Sequence, residues 1–496
     1  MCLINCLPDD VLISIFQNLT PKMIKSCCLV CKRWDSIVGS SYKLMGNFKL
    51  VLKSSEDWKK SMGLKRKHQQ IYFKYCNLHS MNSIMQHNIH TLEMIYYQEM
   101  ELSAFTKLMN NLPKLKILKT NYVDLIDDIQ HVHQSKKVFT KLEHLDCKAE
   151  ICHIFNCNTL SSLKLIWSNS ITNEKRSVIF EFLKNQKNLV EFRLIELGNA
   201  KFFNNQTLDL EMFDFRLESF QYSTFIFDKY QELIRFLAPH AHSLIELDID
   251  FITEFEMLIP IEQVQKYILE SLPNLKYLEM EMHVDTEVDS VEENSFFMEV
   301  DEPRSATCVT KNIEHLKYRD CHRTPDETKR FIDMFPNIKH LGCHTYFTHT
   351  YELLIYVSLT KVNLESLEMY LIDDIEEVKK LYFPKLKKFR VWDVEIAEDG
   401  ICYFIKRHSE VLEEINITYA DELTEKAVNE IVKCKNINRI SLGLSEKHVK
   451  SMMNMFHVIT STSKPLTIRF GNVSTKYKYK FPEDKIFWDE QLKSFE

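Results

Sequence analysis

Glycine is scarce, eight residues in a chain of 496. There is no glycine-rich phosphate loop and no G-x-S-x-G elbow, so the usual sequence carriers of nucleotide and serine-hydrolase chemistry are missing. No apolar run approaches the roughly 18 residues needed to cross a bilayer. The N-terminus lacks a basic region, and Asp9 and Asp10 interrupt the only early apolar run, which speaks against a signal peptide. Excess positive charge is absent too: a net charge of −7 argues against a general nucleic-acid binder. The fourteen cysteines show no disulfide framework, as in chains kept reduced in cytosol or nucleus. These absences predict an intracellular protein of the cytoplasm, the nucleus or both, with no membrane or nucleic-acid partner.

Catalytic and metal constellations are missing as well. His144, Cys147, Cys152, His153 and Cys157 have the residue types of zinc ligands. Their spacing is not that of tight C-x-x-C knuckles, and Cys147 falls on a recurring apolar position, so they read as core and loop groups. Cys28-Leu29-Val30-Cys31 has redox spacing inside an apolar helix, where small thiols pack. His340 and His344 flank Cys343 and read as surface histidines. No catalytic residue, metal ligand or cofactor is assigned, and the chain is expected not to be an enzyme.

What the chain does have is repetition. A phrase of the form apolar, two residues, apolar, one residue, apolar recurs from Ile89-Leu92-Met94 and Leu115-Leu118-Thr120 through Leu244-Leu247-Ile249 and Leu275-Leu278-Met280 to Ile437-Ile440-Leu442, with Thr120 the weakest member. Most starts lie about 25 to 29 residues apart. Between the phrases, Phe105-Leu108-Leu112, Ile179-Phe182-Leu183, Val264-Ile268-Leu272 and Phe331-Met334-Phe335 are spaced as single helix faces. Leu112-Pro113, Leu272-Pro273, Phe335-Pro336 and Phe383-Pro384 stop the helix just before the next phrase. Each repeat is then one strand plus one helix, and neighbours must stack to bury their apolar sides. The predicted fold is α/β: a short helical N-terminal unit, then a solenoid with a parallel sheet on one face and helices on the other.

The expected domains are 1–45, a linker over 46–70, the array over 71–475 and a cap or tail over 476–496. Lys59-Lys60 and Lys65-Arg66-Lys67 in the linker read as a solvated helix, with a nuclear import signal as the alternative. Leu142 to Leu160 leaves no room for a full helix, so that repeat is expected to be tight or broken. The acidic insert 283–305 reads as a loop, with Phe296-Phe297-Met298 as a local contact. Pro465 to Phe470 is expected to close the array, with the aromatic tail covering its open end.

The N-terminal unit organises the rest. In Leu7 to Ile37, Pro8 and the two aspartates open a helix in which Val11, Leu12, Ile15, Phe16 and Leu19 recur at helical spacing. Thr20-Pro21 starts a second helix, and Trp34 and Ile37 mark a third. Segments this short usually need outside help to bury their apolar surface, which predicts a partner. Leu7-Pro8, Val11-Leu12, Ile15-Phe16, Leu19, Pro21, Val30-Cys31-Lys32-Arg33-Trp34 and Ile37 resemble an F-box, and with the repeats the chain resembles the F-box and leucine-rich-repeat family. One departure is Lys22-Met23, where the family often carries an acidic residue.

The resemblance implies a substrate receptor of an SCF (Skp–cullin–F-box) ubiquitin ligase. Leu7, Pro8, Val11, Leu12, Ile15, Phe16, Leu19 and Trp34 would form the element that docks a Skp-type adaptor, some as contacts and others as support. The cullin scaffold would be reached through that adaptor. The alternative is a non-catalytic repeat scaffold that binds the adaptor or other proteins without directing ubiquitination.

Target binding is expected on the exposed strand residues. Glu246, Asp248 and Asp250 stand beside Glu279 and Glu281, flanked by Lys317 and Arg319 on one side and by Lys164 and Arg193 on the other. This patch is expected to take a basic or bipolar segment of a protein target, the alternative being an ordinary solvated face.

Overall fold

The computed structural model describes residues 3–46, 48–53, 68–74, 89–95, 100–120, 125–126, 141–155, 157–198, 202–203, 213–224, 230–253, 258–284, 312–320, 325–344, 350–370, 379–392, 398–417, 425–443, 467–471 and 486–488. Two units emerge: Met1–Phe225 with Gln231–Ser243, and Ile226–Tyr230 with Leu244–Glu496. The basic cluster at 59–67, the Phe296-Phe297-Met298 triplet and most of the acidic insert lie outside the described residues.

The first unit opens with helices α1 (Asp9–Gln17), α2 (Pro21–Val30), α3 (Lys32–Ser40) and α4 (Tyr42–Met45). Pro8 is the N-cap of α1 rather than its first turn residue, and its carbonyl accepts from Leu12 N at 3.1 Å. Thr20 caps α2, its hydroxyl accepting from Met23 N at 3.3 Å, and Pro21 follows where a missing N–H costs nothing. Leu12, Phe16, Ile24, Trp34, Ile37, Val38, Leu44 and Met45 bury together, with Phe16 edge-on to Trp34 at 5.1 Å between centroids. Arg33 ties the start of α3 back to α1, donating to Leu7 O and to Asp9 Oδ1, each at 2.6 Å.

Strands follow at once. Phe48 packs against the helical core, and β1 (Lys49–Leu52) pairs in parallel with β2 (Gln70–Lys74), so the stretch read as a linker carries a strand. Next come β3 (Thr91–Ile95), the two-residue pair β4 (Met100–Glu101) and β6 (Leu125–Ile126), β5 (Ile117–Lys119), β7 (His144–Lys148), β8 (Ser162–Trp167), β9 (Glu191–Glu196) and β10 (Ser219–Thr224). Apart from the β4–β6 pair they form one parallel ladder, with α5 (Leu102–Asn110), α6 (Asn173–Lys184) and α7 (Tyr230–Leu237) between strands. Between β7 and β8 a 3-10 helix, Ala149–Ile154, replaces the α-helix, as the shortened spacing requires. Thr120 sits fully buried at its apolar position because its N and Oγ1 both donate to Asp146 O.

The second unit repeats the pattern with β11 (Glu246–Thr253), α8 (Leu258–Ser271), β12 (Tyr277–Val284), β13 (His315–Asp320), α9 (Pro325–Asp333), β14 (His340–His344), α10 (Thr350–Thr360), β15 (Ser366–Tyr370), β16 (Lys388–Trp392), α11 (Glu398–Arg407), β17 (Glu414–Ile417), α12 (Glu425–Lys433), β18 (Arg439–Gly443) and β19 (Thr467–Gly471). Each strand pairs in parallel with the next. β19 does not close the ladder: β20 (Ile486–Trp488), inside the tail, adds in parallel beyond it. Leu244, Leu247 and Ile249 are fully buried, as are Leu412, Ile415 and Ile417, which fixes the intervening residues on the exposed face. The chain is thus an α/β solenoid of strand–helix repeats behind an N-terminal helical domain.

Candidate functional site

Exposure divides the docking residues expected from sequence. Leu12, Phe16 and Trp34 are buried, and Leu7 and Leu19 pack against the same core; they are the support. Pro8, Val11 and Ile15 are exposed. Three apolar residues on α2 outside the expected docking set are also exposed: Met23, Leu29 at 88% exposure and Val30 at 58%. The signal was present, since Ile24 already faces inward and an apolar helix this short cannot turn every residue to the core. An amphipathic unit with apolar side chains left outside is what a protein partner would cover.

The second site lies on the exposed face of the second unit. Backbone register sets Asp248 opposite Glu279 and Asp250 opposite Glu281, then Glu279 opposite Lys317 and Glu281 opposite Arg319. The seven expected residues therefore do come together. Their charges, however, are largely settled among themselves. Lys317 Nζ bonds Glu279 Oε1 and lies 2.9 Å from Glu281 Oε1, while Arg319 Nη1 is 3.8 Å from Glu281 Oε2. Burial alone would lower the Lys317 pKa, but the Glu279 and Glu281 carboxylates outweigh it and hold the pKa above the usual lysine range. Burial and the hydrogen bond to Glu279 likewise push the Tyr277 hydroxyl up. Gly342 makes room for this arrangement: a Cβ there would stand 2.8 Å from Lys317 Cγ. In the first unit Lys164 pairs with Asp146 at 3.3 Å, and Arg193 is exposed.

His340, expected with His344 as a pair of surface histidines, is half-buried. Its ring stacks on His315 with centroids 3.6 Å apart, and Tyr277 lies 5.6 Å beyond His315. Burial, then the neighbouring His315 and Lys388, lower the His340 pKa to about 4, so the ring is neutral at pH 7. Cys343 beside it is buried, its pKa raised to about 12 by burial. Cys147, Cys152 and Cys157 are buried too, and burial pushes their thiols up, Cys157 to about 12. Among the described residues no group of three or more His, Cys, Asp or Glu is placed to hold a metal, and no helix is long and apolar enough to cross a membrane.

Comparison with known proteins bears on the first site. The F-box-like family model matches residues 4–45, the segment that folds as α1 to α4, so the chain carries an F-box-like domain at its N-terminus. Among curated proteins none matches the chain. A solved structure described as the crystal structure of the Rad7 and Elc1 complex in yeast is similar over 97% of this chain and 95% of the matched chain, at 13% identity and a TM-score of 0.35.

Proposed function

We propose that this protein is the substrate-recognition subunit of an SCF-type ubiquitin ligase, a non-catalytic member of the F-box and leucine-rich-repeat family. The observation that carries the reading is the F-box-like domain with its exposed apolar residues. Val11 and Ile15 on α1, with Met23, Leu29 and Val30 on α2, dock a Skp-type adaptor, while Leu12, Phe16, Ile24 and Trp34 hold the two helices in place. The adaptor links the chain to a cullin scaffold and a ubiquitin-loaded enzyme, and the repeats hold a protein target close enough for effective concentration to drive transfer. The chain contributes position, and the chemistry belongs to its partners.

The continuity between Met45, Phe48 and β1 supports this role within the first unit, because Gly46 O accepts from Gln70 Nε2 at 2.7 Å and joins the domain to the first strand pair. The seven charged residues of the second unit are the proposed target face. The test is recovery from cells of wild type beside Leu29→Asp/Val30→Asp. Adaptor and cullin with the wild type alone, together with slower turnover of co-recovered proteins in the variant, are expected. Adaptor without cullin would replace the ligase reading by a scaffold.

A further inference from the structure

One row of the second unit's exposed face holds no ion pair among the described residues, while the rows beside it hold several. Register places Glu246, Tyr277, His315, His340, Ser366 and Lys388 side by side across β11 to β16. On one flank Glu314 pairs with Lys339 at 2.9 Å and Glu365 with Lys387 at 2.7 Å. On the other, Glu279 and Glu281 hold Lys317, and Glu368 holds Arg390 at 3.0 Å. Beyond Lys388, the next residue in register, Glu414, is 3.4 Å from Arg439. Within the first row, Glu246 at one end and Lys388 at the other are exposed and have no ion-pair partner among the described residues. The Ser366 hydroxyl and the His315 and His340 ring nitrogens likewise have no hydrogen-bond partner among them. Between the two charges run the stacked rings and a small hydroxyl, a surface that is polar yet carries no net charge at neutral pH.

A row with an acid at one end, a base at the other and unused hydrogen-bonding groups between them is complementary to a chain of opposite polarity. We propose that this row binds an extended bipolar segment of the protein target, laid across the strands with a cationic side chain on Glu246 and an anionic one on Lys388. This deepens the receptor reading given above and rests on it. Five strand spacings of about 4.8 Å separate the ends, about 24 Å, which an extended peptide covers in about seven residues. The anion is a carboxylate or a phosphate, since an ammonium, a hydroxyl and an imidazole can receive either. Planar target groups between the charges would meet the edges of the His315–His340 stack. Rim charges of this kind set specificity and on-rate, which makes charge spacing the property to read out.

The test uses the full chain with fluorescent peptides. The probe is Arg-Arg-Gly-Ser-Gly-Ser-Gly-Glu-Glu, made in both orders, with a phosphoserine version in place of the glutamates and a short version holding a single central glycine. One order of the nine-residue peptide is expected to bind at least about tenfold tighter than the short one. Glu246→Lys and Lys388→Glu should each weaken it about tenfold, and the double swap should restore binding with the opposite order preferred. If Lys388→Glu costs the phosphoserine peptide more than the glutamate peptide, the anion is phosphate; if not, it is carboxylate. Equal binding by wild type and both single variants, or no binding of any bipolar peptide, overturns the proposal. Both variants should still co-purify the Skp-type adaptor, so failure of the row is separable from failure of the receptor reading.

Discussion

His408 shows how one buried polar side chain joins neighbouring repeats. Its Nε2 accepts from Phe383 N at 2.9 Å while Nδ1 donates to Phe404 O at 2.8 Å, so only the neutral ring satisfies both. His240 accepts from Leu217 N in the same way, at 3.4 Å. Burial lowers both pKa values to about 4. Because the folded-state value lies below the unfolded value of about 6.5, the unfolded chain binds more protons between those limits. Stability is therefore full above about pH 6.5 and is lost as pH falls towards 4, by about 3 kcal/mol per histidine. The protection factor of the Phe383 amide, its rate corrected for intrinsic exchange at each pH, should fall over that window, and His408→Leu should flatten the dependence while costing about 2 kcal/mol at pH 7.5. Gly342→Ala makes a second residue-scale case. Its Cβ meets Lys317 at Cγ, close to the backbone, so the lysine must leave the Glu279 and Glu281 carboxylates. A loss of about 1–3 kcal/mol in urea unfolding is expected.

Neither histidine was legible in the sequence, because a single polar residue at the end of an apolar helix has no periodicity to betray it. Glu196 is similar: it reads as a charged strand end, yet it is buried and accepts from Phe202 N, Tyr222 Oη and Thr224 Oγ1, and Phe202 arrives from outside the repeat phrase. What alternation does fix is the side each strand residue faces, and that is why Glu246 to Arg319 could be placed as one patch. The partners within that patch could not be foreseen, since the choice between a free carboxylate and an ion pair depends on side-chain reach.

At the scale of elements, α1 and α2 divide into side chains that build the core and side chains left exposed. Leu12→Ala or Phe16→Ala removes buried core and should cost about 2–5 kcal/mol, lowering the melting temperature of the first unit. Thr20→Ala should cost about 1 kcal/mol through the lost cap of α2. Val11→Asp should leave the melt within about 0.5 kcal/mol of wild type, since its side chain is already exposed. Spacing alone located both helices but could not rank Val11 against Leu12, adjacent residues of similar hydrophobicity; packing against Trp34 and Ile37 makes that distinction. The repeats show the same limit. Proline after Leu112, Leu272 and Phe335 marks where α5, α8 and α9 stop, while the helix expected before Phe383 falls on residues outside those described, and β20 carries too short an apolar stretch to read as a strand.

Across the whole molecule, the proposed function draws on two kinds of surface. The N-terminal domain exposes apolar side chains, and in the proposed role burial of their area against the adaptor supplies the affinity. The repeat face of the second unit is polar and rich in ion pairs, and in the proposed role its charges select among targets. The central claim is that the F-box-like domain docks a Skp-type adaptor through the exposed side chains of α1 and α2. Its most direct test is titration of purified full-length protein with a purified Skp-type adaptor, comparing wild type with Val11→Asp/Ile15→Asp. The account predicts a stoichiometric complex for the wild type and at least about a hundredfold weaker binding for the variant, about 2.7 kcal/mol, with an unchanged melt. No binding by the wild type, or equal binding by the variant, would contradict it.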